Sequence, residues 1–161
     1  MPGMRTDRSQ LLPPAVDLVN QLARCVSSDR VLTRSLERVA VASDASFYRL
    51  LPEAVVLAGS VDEIQGLFAI SREREIPLTF RAAGTSLSGQ SLSDGLLVEV
   101  ARHWRSARVE DGGLRIRARP GMIGDHLNQL LRPFGRKIGP DPASIRACTL
   151  GGILPRRCTK R

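Results

Sequence analysis

The stretch Arg81–Gln90 reads RAAGTSLSGQ and sets two glycines, Gly84 and Gly89, among three small hydroxyl residues, Thr85, Ser86 and Ser88. Glycine lets consecutive backbone N–H groups turn into one concavity, and hydroxyls add short donors beside them. Many donors facing one point suit a diphosphate, whose charge is spread over several oxygens. Arg81 either adds charge to such a site or, as the residue leaving a strand, braces the loop. The same composition also describes an ordinary polar turn. Two known phosphate-binding signatures are absent: no GK[ST] follows, and no GxGxxG occurs. A nucleotide kinase and an NAD-binding Rossmann enzyme are therefore disfavoured.

A second small-residue stretch, GPDPASIRACTLGG, runs from Gly139 to Gly152. Pro140 and Pro142 stiffen the backbone on either side of Asp141. Ser144 and Thr149 are donors, and Gly151-Gly152 allows close backbone approach to a flat ring. A rigid connecting loop has the same composition. The two histidines, His103 and His126, fit surface or structural roles, and Trp104 fits packing.

The elements that must position these loops follow from hydrophobic spacing. From Pro13, apolar residues recur at three and four, which predicts a helix. A second helix is expected over about 31–41. SDASFYRLLPEA then reads as a loop anchored by Phe47, Tyr48 and Leu50. AVVLA (54–58) is a strand, and Ser60 with Glu63 has the spacing of a capping box ahead of a helix over 61–73. PLTF enters a further strand, closing a βαβ unit with parallel strands. After the first small-residue loop come a strand from Leu96 to Val100, then two strands around an Asp-Gly-Gly turn. A helix over 122–131 precedes the second loop. Parallel α/β followed by antiparallel β predicts an α+β domain of two lobes.

Bulk properties narrow the function classes. The 161 residues are 42% hydrophobic and 25% charged, as in an ordinary globular domain. Net charge is +8, and all basic residues except Lys137 and Lys160 are arginine. A positive field suits an anionic ligand such as a dinucleotide, and it suits nucleic acid. Against nucleic acid, the basic residues are scattered and aromatics are only 4%. A basic anion- or nucleic-acid-binding module without redox activity stays as the alternative. Three widely spaced cysteines and two histidines argue against a disulfide framework or a metal site. No apolar run reaches the roughly 18–20 residues of a membrane span. A cytoplasmic location is expected, with peripheral attachment to the inner membrane left open.

The succession of a βαβ unit, RAAGTSLSGQ, a strand, a Pro-Gly turn and LNQLLRPFGRKIGPDPASIRACTLGGI resembles the FAD-binding domain of the vanillyl-alcohol oxidase (PCMH) type. More narrowly it is similar to the branch of FAD-linked D-lactate, glycolate and D-2-hydroxyglutarate dehydrogenases. The resemblance runs from about residue 37 to Ile153, and SDASFYRLLPEAVV with both loops in order makes it specific. It implies two α/β lobes, a small parallel βαβ lobe and an antiparallel lobe that is incomplete here. It implies FAD held by Arg81, Ala83, Gly84, Thr85, Ser86, Leu87, Ser88, Gly89 and Gln90 at the diphosphate. Pro140, Asp141, Ser144, Thr149, Gly151 and Gly152 would line the flavin side. Relatives with covalent flavin carry histidine in the place of Thr85, so noncovalent FAD is implied. The implied substrate is a small 2-hydroxy acid of the D-lactate type, with the acid–base residues in a later domain. An iron–sulfur cluster would belong only to a further C-terminal module.

Relatives continue after Gly151-Gly152-Ile153 with a loop of the type VANNSSG, whereas this chain reads LPRRCTKR. The expected organisation is a helical lead-in (1–36), an FAD-binding domain cut short at its C-terminal side (37–153) and a basic tail without family character (154–161). A frameshifted or truncated product is expected, with a VANNSSG-like continuation in another downstream frame. An antiparallel lobe without its later strands exposes an unpaired edge. Weak or absent FAD binding and marginal stability are expected of the chain by itself.

Overall fold

Residues 15–154 are described by the computed structural model. Helix α1 (Val16–Cys25) buries Leu18 and Leu22, four residues apart on one face. They pack with Val26 against Leu67 and Ile70 of α3 (Val61–Glu73). Burying a leucine-sized side chain contributes about 1.5–3 kcal/mol, so this face alone fixes α1 on the domain.

The segment expected to be one helix over 31–41 is instead a two-residue strand, β1 (Val31–Leu32), followed by α2 (Ser35–Ala40). Val31 and Leu32 pair antiparallel with Val56 and Val55 of β2 (Ala54–Leu57). Pairing to a neighbouring strand decides the conformation of so short an apolar segment.

Strand β2 is buried along its whole length. That suits a parallel strand covered on both faces. The βαβ unit of β2, α3 and β3 (Leu78–Arg81) forms, but its two strands are not neighbours. Strand β4 (Leu96–Glu99) lies between them and pairs in parallel with both, giving the order β1-β2-β4-β3. Ala54, Val56, Leu96 and Val98 join the α1–α3 core with Trp104. Trp104 Nε1 donates to Ala58 O at 2.8 Å, and the Arg119 guanidinium lies 5.2 Å over its ring.

The start of α3 is fixed by charge as well as capping. Ser60 Oγ accepts from Glu63 N–H at 3.2 Å, while Glu63 Oε2 accepts from Gly59 N–H at 2.7 Å. Arg30 donates to the same carboxylate through Nη1 at 2.9 Å and Nη2 at 2.5 Å. Burial pushes the Glu63 carboxyl up, but the bonds from Arg30 and Gly59 outweigh it and the net shift is down from 4.5. Glu63 therefore stabilises the fold fully above the ordinary glutamate range and loses that effect as pH falls through its lowered value. Glu63→Gln is expected to cost about 1–3 kcal/mol near neutral pH. The stability difference between the two proteins should shrink as pH falls through the lowered Glu63 value.

The second lobe begins with an antiparallel hairpin, β5 (Ala107–Glu110) and β6 (Arg115–Ala118), turned by a short 3-10 segment at Asp111–Gly113. Helix α4 (Gly124–Leu131) buries Leu127 and Leu131, and α5 (Leu150–Ile153) follows the second small-residue loop. The rest of this sheet consists of no further strand among the described residues. Leu114, Leu130 and Phe134 are exposed on this lobe.

The expected anchors of the 43–54 loop are largely exposed, although Tyr48 packs against Gly89. Phe47 is 86% exposed, with Tyr48 and Leu50 also exposed. The Phe47 and Tyr48 rings instead contact each other, 4.3 Å between centroids. No helix among the described residues is long and apolar enough to cross a membrane, and no cluster of metal-ligating side chains occurs among them.

Candidate functional site

The two small-residue loops, about 60 residues apart in sequence by the residue ranges above, face the same cavity of about 740 Å³. Clefts of about 300–1,000 Å³ are usual for small ligands and cofactors. The cavity runs along the edge strand β3 and past its carboxyl end, the end of a parallel strand where α/β sheets bind ligands. One part of its wall is apolar: Ile64, Leu78, Val100, Trp104, Pro120 and Ile153. The other part is small and polar.

From the first loop Arg81, Ala83, Gly84, Thr85, Ser86 and Gln90 line the cavity, and Ser91 extends the row. Gly84 and Gly89 take positive φ of 65° and 70°, so the loop uses the freedom that only glycine has cheaply. The amides of Gly84 and Thr85 donate to no acceptor among the described residues. Ser86 turns its hydroxyl inward, accepting from Ser88 N–H at 3.3 Å and Gln90 N–H at 3.2 Å. Leu87, which is 70% exposed, and Ser88 and Gly89 lie outside the cavity wall.

Arg81 does brace the loop. Its Nη1 donates to Val41 O at 3.1 Å and Ser91 O at 3.4 Å, and its Nη2 to Ser43 O at 2.9 Å. Burial pulls its proton affinity down, with Asp44 and Glu99 acting in the opposite direction. Arginine keeps its charge through such a shift, so the bracing group also sets a positive potential at the cavity.

From the second loop Ser144, Thr149, Gly151 and Gly152 line the cavity, together with Pro142 and the buried Cys148. A ladder of backbone bonds holds this segment. Leu150 N–H donates to Met122 O at 2.7 Å, Gly151 N–H to Pro120 O at 2.9 Å, and Gly124 N–H to Cys148 O at 3.1 Å. Gly121 N–H in turn donates to Trp104 O at 2.8 Å, which ties the ladder to the first lobe. Pro140 and Asp141 stand apart from the cavity. Pro140 lines a second one of about 600 Å³ beside β6 and α4, and Asp141 accepts from Lys137 Nζ at 3.1 Å.

Thr149 is the informative residue of this wall. It is 3% exposed, and its Oγ1 is buried without a hydrogen-bond partner among the described residues. A buried hydroxyl left unpaired costs about 1–3 kcal/mol, so Thr149 gives this wall a polar group open to a further partner.

The FAD binding domain family matches residues 52–157. The chain belongs to this family. D-2-hydroxyglutarate dehydrogenase of Escherichia coli K12 is 36% identical over 128 residues, covering 76% of this chain and 12% of that protein. Glycolate oxidase subunit GlcD of the same strain is 33% identical over 109 residues, 66% of this chain and 22% of that protein. Among solved structures, p-cresol methylhydroxylase superposes with a TM-score of 0.69 at 17% identity, over 84% of this chain and 28% of that one. The 4-ethylphenol oxidase from Gulosibacter chungangensis does so with 0.69 at 20% identity, over 88% and 30%. The α+β fold is thus that of the PCMH-type FAD-binding domain, and FAD is the cofactor of the family. The chain spans about an eighth of the D-2-hydroxyglutarate dehydrogenases it matches, by the 12% coverage.

The residues present fit FAD as this family's cofactor. Gly84 and Thr85, whose amides have no acceptor among the described residues, line one cavity with other small residues, the unpaired Thr149 and several apolar side chains. Sequence reasoning missed that apolar end, because Ile64, Val100 and Pro120 read as ordinary core or turn residues. It also missed Asp44 and Ser91, although Asp44-x-Ser46 carries a turn signature: Ser46 N–H donates to Asp44 Oδ1 at 2.9 Å.

Proposed function

We propose that this chain forms the dinucleotide-holding part of a flavin-dependent oxidoreductase that oxidises a small 2-hydroxy acid of the D-lactate type. The observation that carries the reading is the convergence of both small-residue loops on one cavity with an unpaired Thr149 hydroxyl in its wall. The names of the relatives, D-2-hydroxyglutarate dehydrogenase and glycolate oxidase, support the substrate class. When bound, the flavin would supply the two-electron redox chemistry of such an oxidation.

The chain's own residues bind and orient. Gly84 and Thr85 present backbone donors to the diphosphate, with Ala83, Ser86, Leu87, Ser88, Gly89 and Gln90 shaping the turn and Arg81 holding it from below. Thr149 donates its hydroxyl to the bound cofactor, and Ser144, Gly151 and Gly152 form the adjacent wall. Pro140 and Pro142 stiffen the backbone that leads to Ser144, while Asp141 pairs with Lys137 away from the cavity. The apolar end along Ile64, Val100 and Trp104 excludes water from the rest of the dinucleotide. Thr85 offers no side-chain nucleophile comparable to histidine, so the cofactor is held noncovalently.

Among the described residues, no histidine or carboxylate lines the cavity. Taking the proton of the substrate hydroxyl requires such a base. We therefore assign turnover to longer proteins of this kind and only cofactor binding to these residues.

Quenching of flavin fluorescence tests the reading on the 161-residue chain. FAD is expected to bind weakly but saturably, ADP to compete, and riboflavin, which lacks the diphosphate, to leave the protein unbound. Acid precipitation should release all of the flavin. Added D-lactate, glycolate or D-2-hydroxyglutarate should give no dye reduction. Riboflavin binding as well as FAD, or failure of ADP to compete, would contradict the placing of the diphosphate. Retention of DNA in place of FAD would favour a basic anion-binding module.

A further inference from the structure

A loop of glycines and serines has few side chains with which to hold its own shape, so its neighbours must impose it. The neighbour here is the segment 41–48. It touches the loop at its start, middle and end. At the start, Arg81 donates to Val41 O and Ser43 O, and Ala45 N–H donates to Gly84 O at 3.0 Å. In the middle, Tyr48 packs so closely that a Cβ on Gly89 would fall 3.0 Å from its Cδ2. At the end, Ser91 Oγ donates to Asp44 Oδ2 at 2.9 Å.

Asp44 is the hub of these contacts. Its Oδ1 accepts from Ser46 N–H at 2.9 Å and from Ser46 Oγ at 2.5 Å, while its Oδ2 reaches across to Ser91. One carboxylate thus fixes both the shape of its own turn and the far end of the loop. Asp44 is not part of the cavity wall. We propose that Asp44 is a positioning residue for cofactor binding: acting through Ser91 and beside Arg81, it holds residues 82–91 in the conformation whose amides meet the diphosphate. This rests on the assignment of that loop to the diphosphate.

The electrostatics agree with the geometry. Burial pushes the Asp44 carboxyl up, yet the bonds from Ser46 and Ser91 bring its net shift below the ordinary value, so it stays ionised at neutral pH. Its charge also raises the proton affinity of Arg81, the second brace of the same loop.

The test uses the 161-residue chain and the variants Asp44→Ala, Asp44→Asn and Ser91→Ala, with Glu63→Gln as a destabilised control remote from the loop. In the ligand-free proteins, hydrogen exchange is read at Ala45 and Leu92, whose amides bond to Gly84 O and Gly89 O, and at Val100, bonded to Arg81 O. Asp44→Ala is expected to speed exchange at Ala45 and Leu92 about tenfold, with Val100 unchanged, as loss of hydrogen bonds to a charged group implies. FAD affinity should fall about tenfold in Asp44→Ala and by a smaller factor in Ser91→Ala. Asp44→Asn, which keeps an acceptor for Ser46, should recover most of the affinity. Glu63→Gln should lower the melting temperature and leave affinity unchanged. Unaltered loop exchange in Asp44→Ala overturns the proposal, as does an affinity loss in Glu63→Gln as large as in Asp44→Ala. If the unsubstituted chain ignores FAD while loop exchange responds to Asp44, the diphosphate assignment fails and takes the cofactor role of Asp44 with it, leaving only loop ordering.

Discussion

Gly84→Ala is expected to lower stability by about 2–4 kcal/mol and to weaken FAD binding more than tenfold. Two causes act together. Gly84 has φ of 65°, where an L side chain is strained. A Cβ there would also fall 2.5 Å from Arg81 Nη2 and 2.8 Å from its Cζ. Arg81 cannot yield freely, because it donates to the carbonyls of Val41, Ser43 and Ser91. Relieving the clash therefore loosens the brace and moves the donor-bearing turn. Melting followed by circular dichroism should show a fall of roughly 6–12 °C. Gly112→Ala separates the two causes. Gly112 also has positive φ, 60°, but nothing lies within 4 Å of its added Cβ. It should lose only about 1–2 kcal/mol and bind FAD as before. Equal effects at both positions would show that the contact with Arg81 is immaterial.

Thr149→Val is expected to move stability and affinity in opposite directions. Valine keeps the shape and the β-branch that suit the extended φ and ψ of Thr149, −96° and 161°. It removes a buried hydroxyl that has no partner among the described residues. Replacing such a group by an apolar one of equal shape stabilises by about 1 kcal/mol, or roughly 2–4 °C in melting temperature. The same change removes a donor from the cavity wall, so FAD affinity should fall about tenfold. A lower melting temperature in the variant would mean that the hydroxyl serves the fold, and unchanged affinity would mean that it does not meet the cofactor.

Much of the fold is legible in the sequence because its signals are local. The apolar run of β2, the Ser60 and Glu63 start of α3, the Asp-Gly-Gly turn and the face of α4 each depend on residues a few places apart. What failed was non-local. Val31 and Leu32 form a strand because β2 offers them an edge, which nothing in their own neighbours announces. The insertion of β4 between β2 and β3 is a matter of which edge a later strand finds. Phe47 and Leu50 are apolar, yet hydrophobicity does not say which side of a loop faces the protein.

The site divides in the same way. Composition located both loops, since glycine and hydroxyl density is a local property. It did not separate Gly84 and Thr85, which line the cavity and whose amides have no acceptor among the described residues, from Ser86, whose hydroxyl closes its own turn. Nor did it separate Thr149 from Asp141, because burial of one and the Lys137 pairing of the other depend on the packed lobe. Asp44 escaped notice because its partner Ser91 lies 47 residues away.

An amide NMR titration of the chain with FAD, ADP and riboflavin tests the diphosphate assignment most directly. The Gly84 and Thr85 resonances are expected to shift saturably with FAD and ADP and to stay in place with riboflavin. Saturable shifts elsewhere, with Gly84 and Thr85 unmoved, would contradict it.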